Sequence, residues 1–296
     1  MTVSIIIPNF NGKDLLEKNL PYVLLTKQNL KNNIKEIIVV DDGSMDESVK
    51  FLKDNLKRKI KFIVHTKNRG FATSINTGVR MAKGELVCLL NSDVIPSKNF
   101  LETMNENFND PQVFGVSLHE KGYGYAKGKF KDGFIVHQGM PESNKVEDTF
   151  WASGGSCVLR RNIFMELKGM DDELLSPYYW EDLDISYRAQ KRGYKILWDG
   201  DANVIHEHES TVKKLDQKYV SRIRERNQLL FIWKNLTSNN LMRKHIISLP
   251  KKVLSHPGYI RIIFMAFQRY GKMMELRKKE IKETTVSDEA VFGKFN

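Results

Sequence analysis

Five polar clusters in this 296-residue chain carry side chains that can hold a cation or move a proton: Pro8-Asn9-Phe10-Asn11-Gly12, Asp41-Asp42-Gly43-Ser44, Asn68-Arg69-Gly70, Asn91-Ser92-Asp93 and Glu181-Asp182-Leu183-Asp184. Two histidines, His206 and His208, follow in Val-Ile-His-Glu-His. Carboxylates and an Asn amide oxygen are hard ligands for Mg or Mn, and imidazole suits Mn better than Mg. A carboxylate at the mouth of a helix can also take a proton from a hydroxyl. Each cluster has a plainer account as well. Asn, Asp, Gly and Ser form turns, Asp41 and Asp42 can help cap the next helix, and acids in a first helical turn complement its dipole.

The elements around the clusters favour a site. Short β-branched runs recur at residues 3–7, 36–40, 61–65 and 85–90, separated by helical patterns, which predicts a βαβ series and a parallel sheet. Ser44-Met45-Asp46-Glu47 reads as a capping box for the second helix, and a third helix over 72–83 should stop at Gly84 in a left-handed turn. The first four clusters each follow one of these strands, and ligands bind parallel sheets outside the carboxyl ends of the strands. The glycine-rich stretch 119–150 reads as loop or irregular strand over that edge. A helix is predicted from about Trp180 to Gly193, then strands at 195–198 and 203–206. Beyond Thr211 the pattern is helical and basic, with the last dozen residues loose.

Composition and motifs exclude several classes. With 41% hydrophobic and 28% charged residues the chain is neither disordered, collagenous nor membrane-spanning. No run approaches the ~20 apolar residues of a spanning helix, and the N-terminus reads as neither signal peptide nor anchor. Cys88 and Cys157 make no disulfide framework or zinc spacing, so a reducing cytoplasmic compartment is the default. The loop after the first strand lacks Gly-x-Gly-x-x-Gly, and no P-loop motif occurs.

Taken in order, Val-Ser-Ile-Ile-Ile-Pro-Asn-Phe-Asn-Gly (3–12), Ile-Ile-Val-Val-Asp-Asp-Gly-Ser-Met-Asp-Glu-Ser (37–48), Asn-Arg-Gly-Phe-Ala-Thr-Ser-Ile-Asn-Thr-Gly (68–78) and Leu-Leu-Asn-Ser-Asp (89–93) resemble glycosyltransferase family 2. Gly154-Gly155-Ser156, Trp180-Glu181-Asp182-Leu183-Asp184 and Val204-Ile205-His206 resemble its rhamnosyltransferase-like members. The resemblance implies a GT-A fold, an α/β architecture with a Rossmann-like, mostly parallel sheet flanked by helices, over a domain of residues 1–212. It also implies a nucleotide-diphosphate sugar donor, dTDP- or UDP-linked, with rhamnose favoured.

By the same resemblance Pro8, Asn9 and Asp42 line a nucleoside pocket, with Asp42 accepting from a pyrimidine ring N–H, Asp41 in support and Arg69 near the nucleotide. Asn91-Ser92-Asp93 stands at the family's Asp-x-Asp position. Asn91 replaces the first Asp and brings no charge, so Asp93 is the direct ligand of a divalent cation, Mn or Mg, and His206 completes the shell. Asp182 becomes the base that deprotonates the acceptor hydroxyl, in a single displacement that inverts the anomeric carbon. Trp151 and Trp180 either stack on a sugar or pack internally.

Charge is unevenly distributed. Residues 213–283 hold 18 Lys and Arg against five acids, a net of +13 within a total of +11, so the remainder is −2. A basic amphipathic extension, 213–296, can lie on an anionic membrane or simply show solvated helix faces. Nucleic-acid binding has no motif to support it. The reading is an inverting glycosyltransferase acting on a polysaccharide or lipid-linked glycan, cytoplasmic and peripheral on the inner face of the cell membrane. Its rivals are a non-catalytic nucleotide-sugar-binding scaffold, suggested by Asn91, and a sugar-phosphate nucleotidyltransferase, which should carry a basic Gly-rich loop after the first strand.

Overall fold

The computed structural model describes residues 1–56, 58–207 and 216–295, so His208 lies outside the described residues. The chain runs β1 (Val3–Asn9), α1 (Lys13–Thr26), β2 (Ile34–Asp41), α2 (Ser48–Leu56), β3 (Lys61–Val64), α3 (Phe71–Met81), β4 (Leu86–Leu90), β5 (Val94–Pro96), α4 (Met104–Asn107) and β6 (Val113–Glu120). A hairpin of β7 (Ala126–Lys131) and β8 (Phe134–Gly139) follows, then β9 (Val146–Asp148), β10 (Ser156–Arg160), α5 (Arg161–Glu166), α6 (Glu181–Gln190) and β11 (Lys195–His206). Five helices close the chain: α7 (Gln217–Asn235), α8 (Asn239–Ser255), α9 (Tyr259–Phe267), α10 (Tyr270–Glu283) and α11 (Asp288–Gly293).

The main sheet has the order β3-β2-β1-β4-β10-β6-β11-β5, with β9 on β11. β3, β2, β1 and β4 are parallel neighbours, as the βαβ pattern predicts. β10 enters antiparallel between β4 and β6, so the fourth strand and the acids near β6 meet the glycine pair that precedes β10. β1 is buried on both faces, and its centre, Ile5-Ile6-Ile7, is apolar accordingly. Ile5 and Ile7 join the core beneath α1 and α2, while Ile6 joins the one beneath α3 and α5.

Several local expectations need correction. Ser44 does not cap α2; its hydroxyl donates to Asp41 and accepts from the Asn11 amide, and Asp46 takes the Ser48 amide at the helix start. α3 ends at Met81, and Gly84 is not left-handed. A Cβ at Gly84 would come 2.6 Å from the Ser4 backbone nitrogen, so close approach to β1 is what requires glycine there. The stretch expected as two strands after residue 195 is one strand, β11, with a register shift between Asp199 and Asn203.

The basic segment shares a core with the rest of the chain. Leu229, Phe231 and Ile232 of α7 pack with Phe150, Trp180, Leu183 and Tyr187. The end of the chain is not loose: Val291, Phe292 and Phe295 are buried. Asp288 is buried as well and takes Tyr187 Oη, Lys191 Nζ and the amides of Thr237 and Ser238. A buried cation and anion satisfied on this scale fix α11 in one position.

Candidate active site

The carboxyl ends of β1, β2 and β4 open on a cavity of about 360 Å³. Pro8, Asn9, Asp42, Asn91, Ser92 and Asp93 line one side, and Phe71, Pro177 and Tyr178 the other. Six of the predicted residues are thus brought together by strand ends. Asp41 sits behind the cavity, fully buried, where it accepts from Asn9 Nδ2 (2.8 Å), the Ser44 amide (2.9 Å) and the Ser44 hydroxyl (2.7 Å). It orients Asn9, whose Oδ1 is buried without a hydrogen-bond partner among the described residues. A buried orphan acceptor is costly unless a ligand donor meets it.

Asp42 does structural work of its own. Its carboxylate accepts from the Arg69 and Gly70 amides (3.0 and 2.7 Å) and lies 2.7 Å from His65 Nδ1. The Arg69 amide is shared between both oxygens, so three donors make four contacts and hold the carboxylate in place at the cavity wall. Arg69 is therefore tied to the site through its backbone and is not among the cavity-lining residues.

Behind Asp93 lies the imidazole of His206, at the end of β11. Nε2 is 3.0 Å from Asp93 Oδ1 and Nδ1 is 3.1 Å from Glu120 Oε2. Burial opposes charge on this ring, yet the two carboxylates outweigh it and raise the imidazole to about 9. The surroundings favour positive charge at this point. Glu120 also accepts from the hydroxyls of Ser153 and Ser156. Glu120 was missed from sequence because residues 119–150 read as loop or irregular strand, with no residue there marked as a ligand. The available signal was an acid closing a buried apolar run, as Asp41 does in β2.

Gly154 and Gly155 join this group to the acidic cluster. A Cβ at Gly155 would meet Asn91 Nδ2 at 2.7 Å and His206 Cε1 at 3.2 Å, and one at Gly154 would meet Asp182 Cβ at 3.2 Å. The Gly154 amide donates to Asp182 Oδ2 (3.1 Å) and the Leu183 amide to Oδ1 (2.8 Å). Burial raises the Asp182 carboxyl, against those amide donors. Burial, with Asp182 as neighbour, pushes Glu181 up to about 8, and its Oε2 has no hydrogen-bond partner among the described residues. Asp184 is no mere dipole acid: it is buried against Arg188 and Lys234. Burial alone would raise it, but Lys234 and Arg188 pull it down to about 2.

The turn leading into α6 is held under strain. Tyr179 and Trp180 have φ of 71° and 78°, a conformation costing about 1–3 kcal/mol per non-glycine residue. Asn227 of α7 stabilises it by donating to the carbonyls of Leu175, Tyr178 and Tyr179. Trp180 packs 5.1 Å from Phe231 and so is internal, while half-buried Trp151 stands 4.7 Å from His137.

Asp93, Asn91 and His206 carry oxygen and imidazole donors of the kinds a divalent cation takes. No cluster of three or more His, Cys, Asp or Glu suited to a metal occurs among the described residues. A cation held there would take the place of the positive charge that Asp93 and Glu120 favour on the His206 imidazole.

Residues 4–168 match the family model described as Glycosyl transferase family 2, more than half of the sequence, and the chain belongs to that family. A poly-beta-1,6-N-acetyl-D-glucosamine synthase of Staphylococcus aureus is 24% identical over 204 residues, 67% of this chain and 48% of that protein. Glycosyltransferase GlyG of Streptococcus pneumoniae is 32% identical over 135 residues, 43% of this chain and 42% of its own length. The chain spans about half the length of these curated relatives. Among solved structures, GalNAc-T7 with UDP, GalNAc and Mn2+ superposes with a TM-score of 0.65 at 16% identity, covering 86% of this chain and 58% of that one. The mannosyltransferase PcManGT of Pyrobaculum calidifontis, in complex with GDP-Man and Mn2+, gives 0.56 at 15% identity, with 95% and 85% covered. S. aureus TarS 1-349 in complex with UDP-GlcNAc gives 0.54 at 16% identity, with 96% and 89% covered. The fold is GT-A.

Proposed function

We propose that this chain is an inverting, metal-assisted glycosyltransferase that moves a sugar from a nucleoside diphosphate to a hydroxyl of a polysaccharide or lipid-linked glycan. The observation that carries the reading is the convergence of two groups on Gly154-Gly155: Asn91 and His206 with Asp93 on one side, and Asp182 on the other. The orphan Oδ1 of Asn9, beside Asp42 in the cavity lining, suits the N–H of a pyrimidine ring. Two structural neighbours contain UDP or a UDP-sugar, which supports a UDP-linked donor. The rhamnosyltransferase-like motifs keep dTDP-rhamnose as the finer alternative.

Asp93 and His206, helped by Asn91, would hold Mn or Mg, whose contribution when bound is to neutralise charge on the departing diphosphate. Two neighbours contain Mn2+, which supports Mn. Asp182 takes the proton of the acceptor hydroxyl while that oxygen bonds to the anomeric carbon and the carbon–phosphate oxygen bond breaks, with inversion. Its raised carboxyl, held by two backbone amides, is a stronger base than an exposed Asp. No helix among the described residues is long and apolar enough to cross a membrane. The basic C-terminal helices support peripheral attachment to the inner face of an anionic membrane, where a lipid-linked acceptor would be presented.

Thermal-shift titration with UDP, dTDP and GDP and their sugars, with and without Mn2+, tests the donor. A pyrimidine nucleotide that stabilises only with Mn2+ agrees with the reading, by about 2.7 kcal/mol at a hundredfold excess over Kd. Asp182→Asn should keep that shift and lose transfer by about 100-fold or more. Undiminished transfer in this variant would remove the base assignment, and nucleotide binding without turnover on any donor would favour a scaffold.

A further inference from the structure

The outward faces of α8 and α9 are apolar where a soluble surface should be polar. α9 buries Tyr259, Ile262 and Ala266 and packs on α7. Its opposite side shows Ile260 (64% exposed), Phe264 (65%) and Phe267 (54%), spaced four and three residues apart along one stripe. A helix apolar on both faces is normally covered on both. α8 repeats the pattern: Leu241 and His245 are buried, while Ile246, Ile247 and Leu254 (82%) face out. Exposed Arg243, Lys244, Lys251 and Arg261 flank these positions, and no Asp or Glu occurs between Arg226 and Met274.

We propose that the α8–α9 face docks on an anionic lipid bilayer, with Ile260, Phe264 and Leu254 entering the boundary between headgroups and acyl chains and the four cations meeting lipid phosphates. This assignment rests on the peripheral-membrane part of the functional reading and names the surface that performs it. Charge selects the occupant. Glu225 and Asp132 lie beside Lys252 and Tyr259, but the exposed apolar stripe is flanked by cations; a second copy would oppose that cationic face to itself, since a two-fold interface pairs identical patches, whereas anionic headgroups neutralise it. Amphipathic helices with aromatic and aliphatic residues on one side and cations beside them bind membranes in this way. Because α9 lies on α7, and Asn227 of α7 holds the wall of the donor cavity, docking would set the orientation of that cavity to the lipid surface.

Co-sedimentation of the full chain with vesicles of phosphatidylcholine, alone or with about 30 mol% phosphatidylglycerol, tests the proposal. The wild-type chain should partition at least about tenfold more strongly onto the anionic vesicles, and lose most of that at high salt. The double variant Ile260→Ser with Phe264→Ser should lose binding by about tenfold or more, with an unchanged melting temperature and unchanged transfer to a soluble acceptor. Arg243→Gln with Lys244→Gln should weaken binding less and flatten the salt dependence. Wild-type chain left in the supernatant of anionic vesicles overturns both the docking face and the peripheral reading. Vesicle binding undiminished in the Ile260/Phe264 variant overturns the face alone. A dimer in sedimentation velocity that the same variant dissolves, without effect on vesicle binding, assigns the face to a second copy.

Discussion

Gly155→Ala is the sharpest perturbation of the proposed centre. The added Cβ would sit 2.7 Å from Asn91 Nδ2 and 3.2 Å from His206 Cε1, against an optimum of roughly 3.5 Å for such contacts, so the amide must retreat by about 0.8 Å. The backbones cannot share the strain easily, because the Asn91 amide donates to the Gly155 carbonyl at 2.9 Å. Asn91 must therefore rotate and His206 tilt. Overpacking of this size costs about 1–3 kcal/mol, and an ångström of misplacement at a reacting centre costs about 100-fold in rate. Mn2+ binding in the presence of a nucleoside diphosphate, followed by electron paramagnetic resonance, should weaken along with turnover. Gly139→Ala, whose Cβ meets nothing within 4 Å, is the control. A Gly155→Ala protein with wild-type metal affinity and rate would refute the claim that these side chains form one working shell.

Glu120→Ala removes the carboxylate on His206 Nδ1 and should weaken Mn2+ by about 10–100-fold, with activity recovering at high Mn2+. If Glu120 acts through the imidazole, adding the change to His206→Ala should cost nothing further. Asp184 sets an acid limit on stability: its folded pKa of about 2 lies below the unfolded value, so its contribution, roughly 2 kcal/mol, is present above pH ~4 and lost as pH falls through about 2. Asp184→Asn removes the carboxylate paired with Arg188 and one of the two on Lys234, which keeps Asp171, and should cost about 3 kcal/mol in urea unfolding at neutral pH; unchanged stability would contradict the buried network. Asn227→Ala frees three carbonyls and the strained Tyr179-Trp180 turn, and should lower turnover more than it lowers donor affinity, as steady-state kinetics can separate.

Local pattern was enough for the first half of the sheet, because each strand there carries a short apolar run closed by a turn cluster. The positions of Asn9, Asp42, Asn91 and Asp93 on one edge follow from that alone, since a parallel sheet puts every strand's carboxyl end on the same side. Tertiary structure alone decided the rest. Glu120 and His206 meet because β6 and β11 are neighbours, a pairing between segments about eighty residues apart that no local period encodes. The strained entry to α6 is held by Asn227, on a helix that composition had marked only as basic. Net charge reports what a segment carries, whereas burial of one helix face and exposure of another depend on which neighbour covers it. That is why one basic stretch both completes the core and presents the apolar face of α9.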